Sequence, residues 1–280
     1  LTKYTAPVLS GILYLAYDAS MNGDWIARYA IQLATQTEDR TLQVIHILDR
    51  ESADAVSEKI DELHELAAEH KVHIVTRMVP RRNGEKTSVF LEKTIPHSRD
   101  SIVIAGARSK HHKQGFLKGT VSEKLLYSGL FNVLVLRVVQ SGLAGLHGGL
   151  VLSVSGRDKS VYQNNSFLPM LLPLADSLHL LHIVRAGNNF VSHRARSALQ
   201  HRGLSYVREI QEELDSFRKD VHSSSLLSAN WKHDLLAYAN RWKAGLILLG
   251  ATERKFGGSA DMEYLLKYSP VDVAVFREIE

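Results

Sequence analysis

The sequence contains no cysteine, only three tryptophans and six prolines, and aromatic residues fill just 8% of its 280 positions. Without cysteine there is no disulfide scaffold, no thiolate zinc or iron–sulfur ligation and no thiol nucleophile, and a reducing compartment suits such a chain. Long apolar runs are missing as well. The most apolar stretch, 167–184, is interrupted by Pro169, Pro173, Asp176, His179 and His182, which excludes it as a membrane span. No segment reads as a signal peptide, so a cytoplasmic protein without membrane insertion is expected. The sequence opens on Leu1, which leaves room for a longer parent chain. Strong charge of one sign is also lacking: the net charge of +4 is shared evenly between the halves, with no basic tail. Polyanion binders concentrate charge on one face or arm, so nucleic acid is not an expected partner.

What the chain does have is ordinary globular composition, 45% apolar and 23% charged, and a mass of 31.3 kDa. That is enough for two domains of roughly 100–150 residues, each with its own core. A repeat supports the division. Leu42–Leu48 is echoed by Leu178–Val184, with His46 matching His182; Ser101–Ala107 is echoed by Gly245–Ala251; Leu125-Leu126 is echoed by Leu265-Leu266. Similar order with drifting offsets indicates duplication with small loop changes. Domains at 1–142 and 143–280 are therefore expected, the second packing on the first as a built-in dimer partner. Whether that pseudo-dimer pairs again as a homodimer is left open.

Within the first half, the apolar runs Gly11–Tyr17, Leu42–Leu48, Val72–Val79, Ile102–Ala105 and Phe131–Val138 suit strands covered on both faces. Helical patterns lie between them at Gly23–Thr35, Ala53–His70, Lys86–Ile95 and Thr120–Ser128. In the second, Val56, Ile60, Leu63, Leu66 and Ala67 share one face. The expected fold is α/β: two tandem Rossmann-like domains, each an open five-stranded parallel sheet with helices on both faces. Ligands in such sheets bind beyond the carboxyl ends of the strands, where strand order reverses.

The loop after the fourth strand, 106–119, carries Arg108, Lys110, His111, His112, Lys113 and Lys118 and no acid before Glu123. Gly106 permits close backbone approach, and Gly119-Thr120 opens the next helix with N–H groups and hydroxyls suited to an anion. Gly106, Ser109, nine residues, then Gly119-Thr120 resembles the G-2x-G-9x-G-[S/T] nucleotide loop of universal stress proteins, with Ser109 in place of the second glycine. Tyr17-Asp18-Ala19-Ser20 is similar to that family's Asp-Gly-Ser at the end of its first strand. The resemblance covers 8–138 and, more faintly, 148–278.

It implies a tandem universal stress protein that binds ATP, with or without Mg2+, or a related adenine nucleotide in its N-terminal half and acts in stress signalling. Asp18 would face the adenine or ribose side and Ile47 would hold adenine. Gly106, Arg108, Ser109, Gly119, Thr120, Val121 and Ser122 would surround the phosphates. No nucleophile–base arrangement emerges from spacing; Asp18 could at most hold a metal ion or orient a water for slow hydrolysis. Two rivals remain: a non-nucleotide regulatory module such as the cytosolic domain of a transporter, and an enzyme handling adenylyl groups.

The second copy has a shorter loop after Gly250, acidic residues at Glu253 and Asp261, and no Asp after its first strand. Negative charge repels phosphate in a partly desolvated pocket, so this half is expected not to bind ATP. Of the fourteen histidines, His64 and His70 are six apart on a helix and diverge, which argues against a shared metal. His46 and His182, at matching strand positions, are expected to be buried and hydrogen-bonded rather than catalytic.

Overall fold

The computed structural model describes residues 11–48, 53–81, 84–107, 115–139, 148–154, 166–185, 193–214, 220–251 and 258–279. The expected boundary between 142 and 143 lies outside them. The first half runs β1 (Ile12–Tyr17), α1 (Met21–Ala34), β2 (Thr41–Leu48), α2 (Ala53–Glu69), β3 (His73–Pro80), α3 (Thr87–Thr94), β4 (Ser101–Gly106), α4 (Val121–Leu126) and β5 (Asn132–Arg137). In the second half β6 (Gly149–Val154) precedes α5 (Leu168–Leu171), which passes through one 3-10 turn into β7 (Ser177–Arg185). Then follow α6 (His193–Leu214), β8 (Val221–Ser228), α7 (Trp231–Arg241), β9 (Ala244–Gly250), α8 (Gly258–Tyr268) and β10 (Asp272–Arg277). No helix among the described residues is long and apolar enough to cross a membrane.

The strands form one ten-stranded sheet in the order β3-β2-β1-β4-β5-β10-β9-β6-β7-β8. Within each half every pairing is parallel, while β5 and β10 pair antiparallel, with Val135 opposite Val275. The two expected sheets are thus a single sheet. The reason is visible in β5, whose six residues are all buried: an apolar edge with open N–H and C=O groups is stable only when another strand covers it.

Alternation along the strands divides the core into two layers. Leu13, Leu15 and Tyr17 of β1, Leu134 and Leu136 of β5, and Ala274 and Phe276 of β10 belong to one layer; Tyr14, Val133, Val135, Val273 and Val275 belong to the other. Each layer continues across the β5–β10 seam, so the halves share their core. A fully buried Leu or Val side chain contributes about 1.5–3 kcal/mol.

Polar groups fix the register of the seam. Asp272 Oδ1 accepts from Val139 N at 2.6 Å, and Asn132 Oδ1 accepts from Ile279 N at 2.9 Å. Asn132 and Asp272 are equivalent positions of the repeat, as are Val139 and Ile279. Asp272 also accepts from the Tyr29 hydroxyl on α1. Nearby Arg137, buried like Asp272, donates to Ser269 O at 3.2 Å and lies over the Phe116 ring. Burial lowers the Arg137 pKa and the Asp272 charge opposes that shift.

Candidate functional site

The chain leaves β1 through a tight turn. Ala19 takes a φ of +54°, which an L-residue seldom adopts, and Ser20 then caps α1 by accepting from Gly23 N at 3.0 Å. Asp18 Oδ1 accepts from Ser20 N at 3.1 Å and from its hydroxyl at 2.6 Å, leaving Oδ2 without a partner among the described residues. Lys59 on α2 braces this turn by donating to Ala19 O at 2.6 Å and pairing with Asp24 at 2.8 Å. Tyr17 donates to the other oxygen of Asp24; burial, and then Asp24 itself, push the phenol pKa well above its usual value, so the group stays a donor.

β4 leaves the sheet beside this turn. Asn22 Nδ2 donates to Ala107 O at 3.0 Å and ties the start of α1 to the strand exit. Gly106 leaves little room: a Cβ there would lie 2.4 Å from Ile26 Cδ1 and 3.2 Å from Asn22 Nδ2, so both side-chain ends would have to shift. Ser122, in the first turn of α4, donates its hydroxyl to Gly106 O at 2.5 Å. Thr120 caps α4, accepting from Glu123 N at 3.0 Å while donating its hydroxyl to Leu117 O at 2.6 Å. Gly119, at φ +73°, donates its N–H to Glu123 Oε2 at 2.5 Å.

These groups surround a cavity of about 360 Å³ at the carboxyl ends of β1, β2 and β4. It sits where the strand order turns back, with β2 on one side of β1 and β4 on the other. Of the expected site residues, Asp18, Ile47, Gly106, Thr120, Val121 and Ser122 line it together. Gly119 does not line it, and Arg108 and Ser109 lie outside the described residues. Sequence reasoning missed Asn22, Ile26, Arg81, Thr87 and Leu91, which also line it. Asn22 stands one turn from Asp18 and was legible as a neighbour; the other four come from helices and a strand end that only the fold brings near.

Volume and lining suit a small organic ligand. Its lining mixes aliphatic Ile26, Ile47 and Leu91 with polar Asp18, Asn22, Thr120 and Ser122. The hydroxyl protons of Thr120 and Ser122 are already committed to carbonyl oxygens, so donation to a phosphate requires both to rotate. His46 is buried and hydrogen-bonded through Nδ1 to Tyr17 O at 3.1 Å, and His182 makes the matching contact with Val154 O at 3.0 Å. Both histidines stitch neighbouring strands at the sheet's carboxyl edge, but only His46 is buried as expected, His182 being half-buried.

In the second half the segments 155–165 and 252–257, which include Glu253, lie outside the described residues. Asp261, expected to oppose phosphate, is paired with Lys232 at 2.6 Å, and Lys232 also lies over the Tyr264 ring. Its charge is therefore largely offset by its neighbour. Among the described residues no group of three or more His, Asp or Glu is placed to hold a metal ion.

The duplicated, doubly wound sheet with a cavity at its switch point defines a Rossmann-like α/β protein. Its fold is that of the universal stress proteins. A universal stress protein from Archaeoglobus fulgidus superposes with a TM-score of 0.62 at 16% identity, covering 97% of this chain and 98% of that one. A structure from Pseudomonas aeruginosa assigned to the same group gives 0.60 at 14%, covering 96% and 94%. The cytoplasmic domain of a prokaryotic cation chloride cotransporter gives 0.57 at 11%, covering 96% and 95%. The sequence itself matches no protein-family model and no curated protein.

Proposed function

We propose that the chain is a tandem regulatory module of universal-stress-protein type that binds an adenine nucleotide in its N-terminal half. The observation that carries this reading is the cavity at the β1–β4 switch point, whose lining combines aliphatic Ile47 and Leu91 with polar Asp18, Thr120 and Ser122. A nucleoside needs both kinds of group: the base excludes water against aliphatic side chains, while Asp18 Oδ2 can accept from a ribose hydroxyl. Phosphates would extend toward Gly106 and the start of α4. The hydroxyl that Asp18 does hold, Ser20 at 2.6 Å, is occupied as the cap of α1, so binding and signalling, in a stress response, describe the site better than turnover. Calorimetric titration with ATP and Mg2+ tests this. Saturable binding is expected, weakened more than about tenfold by Ile47→Asp, which sets a charge against the base, and unaffected by Asp261→Ala in the other half. Equal losses from both changes would place the ligand elsewhere.

A second reading is favoured by the likeness to the cotransporter domain and by the internally committed donors at Gly119, Thr120 and Ser122. In it the module is the regulatory domain of a membrane transporter and works without nucleotide. Absence of any ATP binding heat at millimolar nucleotide would favour it.

A further inference from the structure

The second half reaches into the loop that leads to the candidate site. Glu263, on α8, sets its carboxylate against three successive main-chain N–H groups of the first half. Phe116 N donates to Oε2 at 2.6 Å, and Leu117 N and Lys118 N donate to Oε1 at 2.7 Å each. Consecutive N–H groups converging on one anion form a nest, and bonds to a charged acceptor are stronger than those between neutral groups. Gly115 admits the carboxylate, since a methyl group there would lie 2.8 Å from Oε2.

The held segment connects directly to the cavity wall. Leu117 is held through both of its main-chain polar groups: its N–H by Glu263, its carbonyl by the Thr120 N–H at 3.1 Å and hydroxyl at 2.6 Å. Thr120, Val121 and Ser122 line the cavity, whereas residues 116–118 do not. Glu263 therefore acts on the wall through backbone. Its repeat equivalent is Glu123, spaced from it by the same interval as Leu125 from Leu265, and Glu123 binds Gly119 of its own half. Two glutamates at one repeat position thus clamp adjacent stretches of a single loop, one from within and one from across the seam.

We infer that Glu263 is a positioning residue for the N-terminal site: the half whose own loop is shortened supplies the anion that holds its neighbour's cavity wall in place. The inference rests on the reading of that cavity as an adenine-nucleotide site. Hydrogen exchange at the amides of 116–118 and ATP affinity are measured for the unmodified chain, Glu263→Ala and Glu263→Gln, each with and without excess sodium formate. In Glu263→Ala, exchange at the three amides is expected to accelerate at least about tenfold and ATP affinity to fall by about tenfold. Formate, refilling the nest, should reverse both; a role confined to packing would give no such reversal. Glu263→Gln, which keeps the shape and loses the charge, should fall between and serves if the alanine variant does not fold. Unchanged exchange, exchange that rises without loss of affinity, or tighter ATP binding in Glu263→Ala would overturn the inference, the last by making Glu263 a competitor of phosphate. If the unmodified chain binds no ATP, the nucleotide reading fails by itself. The exchange and formate arms then still decide whether Glu263 holds the segment.

Discussion

His179 shows how one residue carries a pH dependence. It is almost wholly buried at the start of β7, against the rings of His222, Tyr238 and Trp242, and burial first, then the neighbouring His222, lower its pKa from 6.5 to about 4. The unfolded chain takes up a proton below pH 6.5 that the folded chain refuses until near pH 4. Stability from this group is therefore complete above about pH 6.5 and is lost as pH falls toward 4. Urea midpoints at pH 7 and pH 5 should differ less in His179→Phe than in the unmodified chain; an equal difference would move the effect to another group. At this scale the sequence was partly legible. Asp18 opens a loop that the fold rule singles out, and Ile47 was placed through the resemblance to universal stress proteins. Glu263 could not, since its partners lie 145–147 residues away and its neighbours in sequence carry no sign of them.

At the level of elements, α2 holds the turn between β1 and α1 through Lys59, which reaches both Ala19 O and Asp24. The pair is partly exposed, so its contribution to stability is small, below about 1 kcal/mol. Its effect on the turn is another matter, because Ala19 is in an unfavourable backbone region and adjoins Asp18. Lys59→Met should leave the urea midpoint nearly unchanged while weakening ATP binding several-fold; a large stability loss with unchanged affinity would contradict this. The elements themselves were the most readable level. All four helices and five strands of the first half fall within a few residues of their expected places, because buried parallel strands read as continuous Val/Ile/Leu runs and α2 shows a clear apolar stripe. Boundaries at α1 shifted by two residues because Ser20, a good cap, starts the helix earlier than its apolar face does.

For the molecule as a whole, the shared core and the β5–β10 seam predict that the halves unfold together. Asp272→Ala removes the acceptor for Val139 N and Tyr29 and leaves Arg137 buried beside no carboxylate. Breaking a buried charged group of this kind costs about 3–5 kcal/mol. Calorimetry should show one transition in the unmodified chain and a lowered one in the variant; two separate transitions in the unmodified chain would mean that the seam does not couple the halves. The repeat pointed to two copies of one βα pattern lying against each other. It did not tell us that they share one sheet, since the exposed or covered state of an edge depends on what lies beside it.

Joining two copies in one polypeptide has a further consequence at position 132 and its counterpart 272. In an assembly of identical subunits, any replacement appears twice, and an aspartate here would bring a second buried negative charge along with the first. A single chain escapes that rule: Asn serves on one side, Asp with its nearby Arg137 on the other. Freed from mirroring each other, the copies can evolve unlike tasks without giving up their union.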